Sequence, residues 1–187
     1  MVNGPRVAVI GLGNVLMGDD AFGPWVVETL LAEYDFPAEV SVLDLGTPGL
    51  DLLPYVADLE ALVLVDTVRS EAPPGTLRLY RRDEILRHPP QARLSPHDPG
   101  VKEALLSAEF AGRGPSEVLL IGAVPADASM AVRLSSPLRA AVPLAVAAAL
   151  EELQRLGAPG ARRAEPKAPD IWWEPVAPGG PGPGDAA

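Results

Sequence analysis

Val7-Ala8-Val9-Ile10-Gly11-Leu12-Gly13-Asn14 opens as a β-branched apolar run and closes on a glycine turn. A short run with no polar alternation reads as a strand buried on both faces, the kind found inside a parallel sheet. Beyond it, residues 22–33 carry Phe22, Val26, Leu30 and Leu31 at helical spacing. Residues 40–43 give a second strand. Thr47-Pro48-Gly49 then predicts an N-cap with proline at N1, opening a short helix through Val56. Residues 62–65 form another apolar strand, stopping at Asp66, and residues 77–80 one more after the Pro74-Gly75 turn.

Residues 87–99 hold four prolines and both histidines and are expected to form an ordered loop. A helix is predicted over 100–110 and a buried strand over 118–124. Ser136 and Pro137 mark the start of a last helix that reaches Leu156, with Gly157 past its end. Pro143 inside it should kink the helix or remove one backbone bond. Apolar strands alternating with helices give an α/β fold: a three-layer sandwich around a mostly parallel twisted sheet, helices on both faces.

The chain has 187 residues, enough for one domain, here placed at residues 1–157. From Ala158 the composition shifts: the last thirty residues hold seven prolines and end in Gly-Pro repeats, as in a disordered tail. Ile171-Trp172-Trp173 interrupts it, and two readings stand: the indoles pack back on the body, or they dock a partner. The net charge of -10 argues against tracking nucleic-acid phosphates or docking on anionic lipid. Cysteine is absent, which removes thiol nucleophiles, Cys-ligated zinc or iron–sulfur sites and disulfides. With only His88 and His97, any metal site must lean on carboxylates. Met1 to Arg6 lacks a secretory leader's charged start and long apolar run, and residues 140–150 fall short of the ~20 needed to span a bilayer. A soluble, cytoplasmic protein is expected.

Ligands in an open α/β sheet usually bind beyond the carboxyl ends of the strands. Three segments converge there: Gly11-Leu12-Gly13-Asn14-Val15-Leu16-Met17-Gly18-Asp19-Asp20, Asp66 at a strand end, and Ser95-Pro96-His97-Asp98. Carboxylates with one imidazole can hold a borderline divalent ion and leave a position open for metal-assisted hydrolysis. Each residue also has a plainer reading. The Gly-x-Gly turn serves tight packing, and as a dinucleotide fingerprint it fails because Leu16 occupies the third glycine's place. Asp19 and Asp20 would cap the next helix, Asp66 a turn, and His97 would be a surface residue.

Taken together the segments resemble a family. Residues 11–23, ending Gly18-Asp19-Asp20-Ala21-Phe22-Gly23, look like the opening signature of the hydrogenase maturation endopeptidases. Asp44 with Gly46-Thr47-Pro48-Gly49, then Val65-Asp66, Ser95-Pro96-His97 and Ile121-Gly122-Ala123-Val124-Pro125 follow in the family's order, covering about residues 6–156. Ala21 stands where the family usually has glycine, and residues 126–132 lack its common glycine before the last helix.

The resemblance implies a phosphorylase/hydrolase-like fold and an endopeptidase. It would cut the C-terminal extension from a nickel–iron hydrogenase large-subunit precursor after nickel insertion. It places the metal-recognising and catalytic positions on Asp20, Asp66 and His97. The nickel is expected to come with the precursor, with no tightly bound cofactor in the protease itself. The expected partner is that precursor, with no nucleic acid and no membrane insertion, and the expected state is a monomer. Two alternatives stand beside it. One is a non-catalytic metal- or precursor-binding chaperone of hydrogenase assembly. The other is an esterase like the peptidyl-tRNA hydrolases, whose opening also resembles Gly11-Leu12-Gly13-Asn14. That class needs a histidine soon after the first strand and a basic face, and here no histidine precedes His88.

Overall fold

The computed structural model describes residues 6–87, 101–127 and 129–174. Strand β1 (Val7–Gly11) is flanked by β3 (Val40–Asp44) and β4 (Ala61–Thr67), both parallel to it. β6 (Glu117–Ala123) continues the parallel array beside β4, and β5 (Leu77–Arg81) closes the edge antiparallel to β6. The order is β3-β1-β4-β6-β5. The chain leaves β1 toward β3 on one side and then reaches β4 on the other, so the carboxyl ends of β1 and β4 frame the point where connections diverge.

Alternation along the central strands explains the three layers. Val7, Val9, Val63, Val65, Leu119 and Ile121 face α1 (Phe22–Glu33) and α5 (Ser136–Arg155). Ala8, Ile10, Leu62, Leu64, Val118 and Leu120 face the opposite layer, which includes α2 (Leu53–Val56) and α4 (Val101–Phe110). A side-chain period of two with both faces covered produces the continuous apolar runs seen in the sequence. Each fully buried Val, Leu or Ile contributes about 1.5–3 kcal/mol relative to exposure.

Several local expectations shift. β4 does not stop before Asp66 but runs through Asp66 and Thr67, because both residues continue the parallel register with Gly122 and Ala123. The segment after Gly46 is a 3-10 turn, Gly49–Leu52, leading into α2. Gly49 adopts φ 57, so a left-handed residue separates Pro48 from the helix and Thr47-Pro48 are not its N-cap and N1. A short helix α3 (Arg82–Arg87) precedes residues 88–100, which lie outside the described residues together with the loop expected there. α5 tolerates Pro143 on its exposed side and ends before Gly157, whose φ is 76.

Packing does not stop at the composition change. Two-residue strands β2 (Tyr34–Asp35) and β7 (Ala161–Arg162) pair antiparallel, and Arg163 and Lys167 donate backbone bonds to Glu33 and Ala32. The segment then runs back along α1 to its first turn. There Trp25 Nε1 donates to Glu174 at 3.2 Å, and Arg139 of α5 makes two bonds to the same carboxylate at 2.9 and 3.0 Å while lying 4.8 Å above the Trp25 ring. Trp173 is buried, whereas Trp172 is 73% exposed and meets it edge-on. The expected disorder from Ala158 therefore does not hold through Glu174: backbone pairing, a buried indole and a bidentate ion pair fix this strap. Residues 175–187 lie outside the described residues. Among the described residues no helix is long and apolar enough to cross a membrane.

Candidate active site

The first turn after β1 is shaped by contact between backbones. Leu12 N–H donates to the Val65 carbonyl at 2.9 Å, and Gly13 N–H to the Gly46 carbonyl at 2.8 Å, so the loop lies against the ends of β4 and β3. Gly23 at the start of α1 faces Leu12 so closely that a Cβ there would sit 2.3 Å from the Leu12 carbonyl oxygen and 2.5 Å from that of Val65. Only glycine allows the helix to start this near the sheet. A single 3-10 turn, Gly18–Ala21, fills the space between loop and helix and carries both Asp19 and Asp20.

Those neighbours point to different tasks, and neither caps α1. Asp19 is fully buried and turns toward the loop after β6. Its Oδ2 accepts from the backbone N–H of Ala126 at 2.7 Å, the N–H of Asp127 at 3.0 Å and the Ser135 hydroxyl at 2.9 Å. Its Oδ1 accepts the Ser135 N–H at 2.7 Å. Four donors on two oxygens satisfy a carboxylate that would otherwise be costly to bury. Asp20 is buried at 8% exposure and turns toward the sheet ends. Its Oδ2 accepts the Asn14 N–H at 2.7 Å, and its Oδ1 accepts the Thr67 hydroxyl at 3.2 Å.

Thr67 links the two predicted carboxylates. While its hydroxyl reaches Asp20, its backbone N–H donates to Asp66 Oδ1 at 2.7 Å. Asp66 is fully buried at the end of a fully buried strand. Asp20 and Asp66, separated by 46 positions in sequence, are thus held on either side of one threonine at the carboxyl end of the sheet. His97, with Ser95, Pro96 and Asp98, lies outside the described residues. Among the described residues no three His, Asp or Glu side chains gather around one point.

The rim carries more acid. Asp44, at the end of β3, accepts the Gly46 N–H at 2.9 Å. Although it is open on one side, the surrounding protein strips enough water to raise its carboxyl above the usual range, against the opposing pull of that N–H. Glu28 on α1 is raised too, first by lost solvation and then by the charges of Asp170 and Asp44. Asp44, Glu28 and Asp170 thus form a negative cluster at this rim, whose field favours positive charge over negative.

Three elements of this site were not read from sequence. Thr67 had a signal, a hydroxyl directly after the carboxylate at a strand end. Ser135 had one as well: it is the N-cap of α5, yet its side chain makes no capping bond and is spent on Asp19. The other Asp19 partners, the backbone N–H groups of Ala126 and Asp127, had none, lying more than a hundred residues away.

Comparison with known proteins places the chain in a family. The family model of the hydrogenase maturation proteases matches residues 24–152. The chain belongs to that family. It is 37% identical over 160 residues to the hydrogenase expression/formation protein HoxM of Azotobacter vinelandii, covering 85% of this chain and 77% of that one. It is 31% identical over 156 residues to the hydrogenase 2 maturation protease of Escherichia coli, covering 81% and 93%. Among solved structures, the hydrogenase-maturating endopeptidase HybD from E. coli superposes with a TM-score of 0.78 at 30% identity, covering 85% of this chain and 98% of that one. The chain is therefore a peptidase of hydrogenase maturation, and its α/β fold is the one those proteases share. The strap at residues 158–174 follows the last residue of the matched family segment.

Proposed function

We propose that this protease removes the C-terminal extension of a nickel–iron hydrogenase large-subunit precursor once nickel is in place, and that Asp20, Asp66 and His97 recognise that nickel. The observation that carries the reading is the pairing of Asp20 and Asp66 through Thr67 at the carboxyl end of the sheet. Among the described residues Asp20 meets neutral donors, a backbone N–H and a hydroxyl, which orient its negative charge without cancelling it. Oxygen donors of this kind suit a divalent ion, and an imidazole from residue 97 would complete a mixed oxygen–nitrogen set.

In this reading the nickel belongs to the substrate, and the protease needs no tightly bound cofactor. The precursor's metal, already held by its own ligands, presents an open side to the carboxylates. Binding through the metal seats the peptide bond over the site, and a precursor without nickel lacks that anchor. Water then adds to the carbonyl carbon, the C–N bond breaks, and the leaving nitrogen takes a proton, giving a new carboxylate and a free amine. The metal's charge favours the developing oxyanion. In this reading the reaction takes place in the cytoplasm.

The test is cleavage of a nickel-loaded precursor from the same organism, followed by intact mass. Wild type should remove the extension, whereas Asp20→Ala, Asp66→Ala and His97→Ala should leave it, as should a precursor without nickel. Full activity in all three variants would overturn the site assignment, and a tightly bound but uncut precursor would replace cleavage with assembly binding.

A further inference from the structure

The turn that carries Asp20 is bound to the loop after β6 by far more than Asp19 alone. Gly18 N–H donates to the Ala131 carbonyl at 2.7 Å, Ala131 N–H to the Leu16 carbonyl at 3.1 Å, and Asp19 N–H to the Asp127 carbonyl at 3.0 Å. Asn14 Oδ1 also accepts the Leu16 N–H at 3.0 Å. Gly18 adopts φ 55, and a Cβ there would lie 3.1 Å from the Asp127 carbonyl oxygen and 3.2 Å from that of Ser129. The two loops are fastened into one rigid edge next to Asp20.

That edge displays two large apolar side chains in water. Leu16 is 54% exposed and Met130 is 87% exposed, and they project from strand-like partners joined at Ala131. Ordering an apolar side chain in water gains nothing within the monomer, whereas a pre-ordered apolar surface lowers the entropic cost of receiving a ligand. Methionine adds an adaptable, polarizable contact that fits side chains of varied shape.

We propose that Leu16 and Met130 form a docking lip for an apolar side chain of the hydrogenase precursor, on the segment flanking the bond to be cut. The occupant is a stretch of substrate chain because the lip is continuous with the Asp20 turn: Asn14 binds the Asp20 carboxylate through its N–H and positions Leu16 through its side chain. In that arrangement a chain seated over Asp20 has this edge as its neighbour. Asp19 acts as the positioning residue that holds the lip and the Asp20 turn in one register. This inference rests on the proposed cleavage reading.

The experiment compares kinetics on nickel-loaded precursor for wild type, Leu16→Asp, Met130→Asp and the double variant. Phe110→Asp serves as control, since Phe110 is 98% exposed at the end of α4, whose chain returns to the amino end of β6. The double variant should raise KM about tenfold or more with kcat within about twofold, the mark of lost substrate binding. Leu16→Met and Met130→Leu should stay near wild type, as should the control. An unchanged KM in the double variant, or an equal rise in the control, overturns the lip. If wild type does not cut, the cleavage reading fails by itself, and affinity for the precursor decides the lip: about tenfold weaker binding by the double variant supports it, and unchanged or undetectable binding in wild type and variant overturns it.

Discussion

Glu152 and Asp20 are both carboxylates removed from water, at 4% and 8% exposure, and they are satisfied in opposite ways. Glu152 sits near the end of α5 and receives four bonds from two guanidinium groups. Arg81 of β5 reaches its oxygens at 2.6 and 3.0 Å, and Arg155 at 2.8 and 3.0 Å. Arg155 extends the network to Glu117 at 2.8 Å. Burial pushes the Glu152 carboxyl up, but the Arg155 and Arg81 bonds and charges outweigh it and hold the group at about 2. Asp20 meets an N–H and a hydroxyl, with no basic side chain bonded to it among the described residues. A cancelled charge fastens a helix to a sheet edge. An oriented one with no such partner among the described residues is what the proposed nickel recognition calls for.

The sharpest way to break this contrast is to remove charge at both places with little change of shape. Asp20→Asn and Asp66→Asn should each lower the cleavage rate by about a hundredfold or more while the thermal midpoint moves little. Glu152→Gln should leave the rate within about twofold and lower the midpoint. A fully active Asp20→Asn protein would mean that its charge is as structural as that of Glu152. Next in size is the backbone under the site. Gly23→Ala would press a Cβ against two carbonyl oxygens that have no freedom to retreat, and should destabilise by about 3 kcal/mol or more in urea unfolding. Gly157→Ala, with open space around it, should cost only about 1 kcal/mol for its left-handed φ.

How much could be read beforehand follows the same division. β1, α1, β4, β6 and α5 were legible because each carries a dense apolar pattern of the right period, and the sheet could hardly be assembled otherwise. α3 was not, since Ile85 is its single buried residue among the described positions and a six-residue helix offers no repeat. Asp66 was singled out as an acid at the end of an apolar strand, and Asp20 as an acid in the turn after β1 and through the family signature, and the structure holds both against Thr67. Asp19 was read as a cap, because the donors that occupy it come from a distant loop that local rules cannot reach. The strap was hidden behind composition: proline and glycine suggest disorder, while Trp173 is buried and Glu174 acts through partners far away in sequence, Trp25 and Arg139.

Removing a partner from the Glu152 network gives a smaller effect than the glycine change. Glu152→Ala should cost about 2 kcal/mol, read from chemical denaturation near neutral pH. Losing one member of a fully buried pair costs about 3–5 kcal/mol, but here the arginine side chains are 48% and 46% exposed and regain water when the carboxylate is gone. Arg81→Ala should cost less than Glu152→Ala, because Arg155 still covers the buried acid. Equal losses would mean that Arg155 contributes nothing on its own.

The smallest effect is in pH, and it separates the two regions by sign. Glu152 is depressed in the folded state to about 2 from an unfolded value near 4.5. Its stabilisation is therefore fully present above the unfolded value and is lost as pH falls through that window. A displacement of this size is worth about 3 kcal/mol at most, and solvent around the half-exposed arginines trims it to about 1 kcal/mol. Glu28 and Asp44 are raised instead. Folded protein binds their protons more tightly than unfolded protein, so their contribution is greatest below the unfolded values and fades as pH climbs through the raised ones. On acidification from neutral pH, stability should first rise as the rim acids near the site protonate, then fall as Glu152 loses its charge. Urea midpoints measured between about pH 2.5 and 7 should trace that maximum. Glu152→Gln should flatten its acid side, and Glu28→Gln its neutral side. A profile unchanged by Glu28→Gln would show that this rim carboxylate is fully solvated and that burial near the site does not reach it.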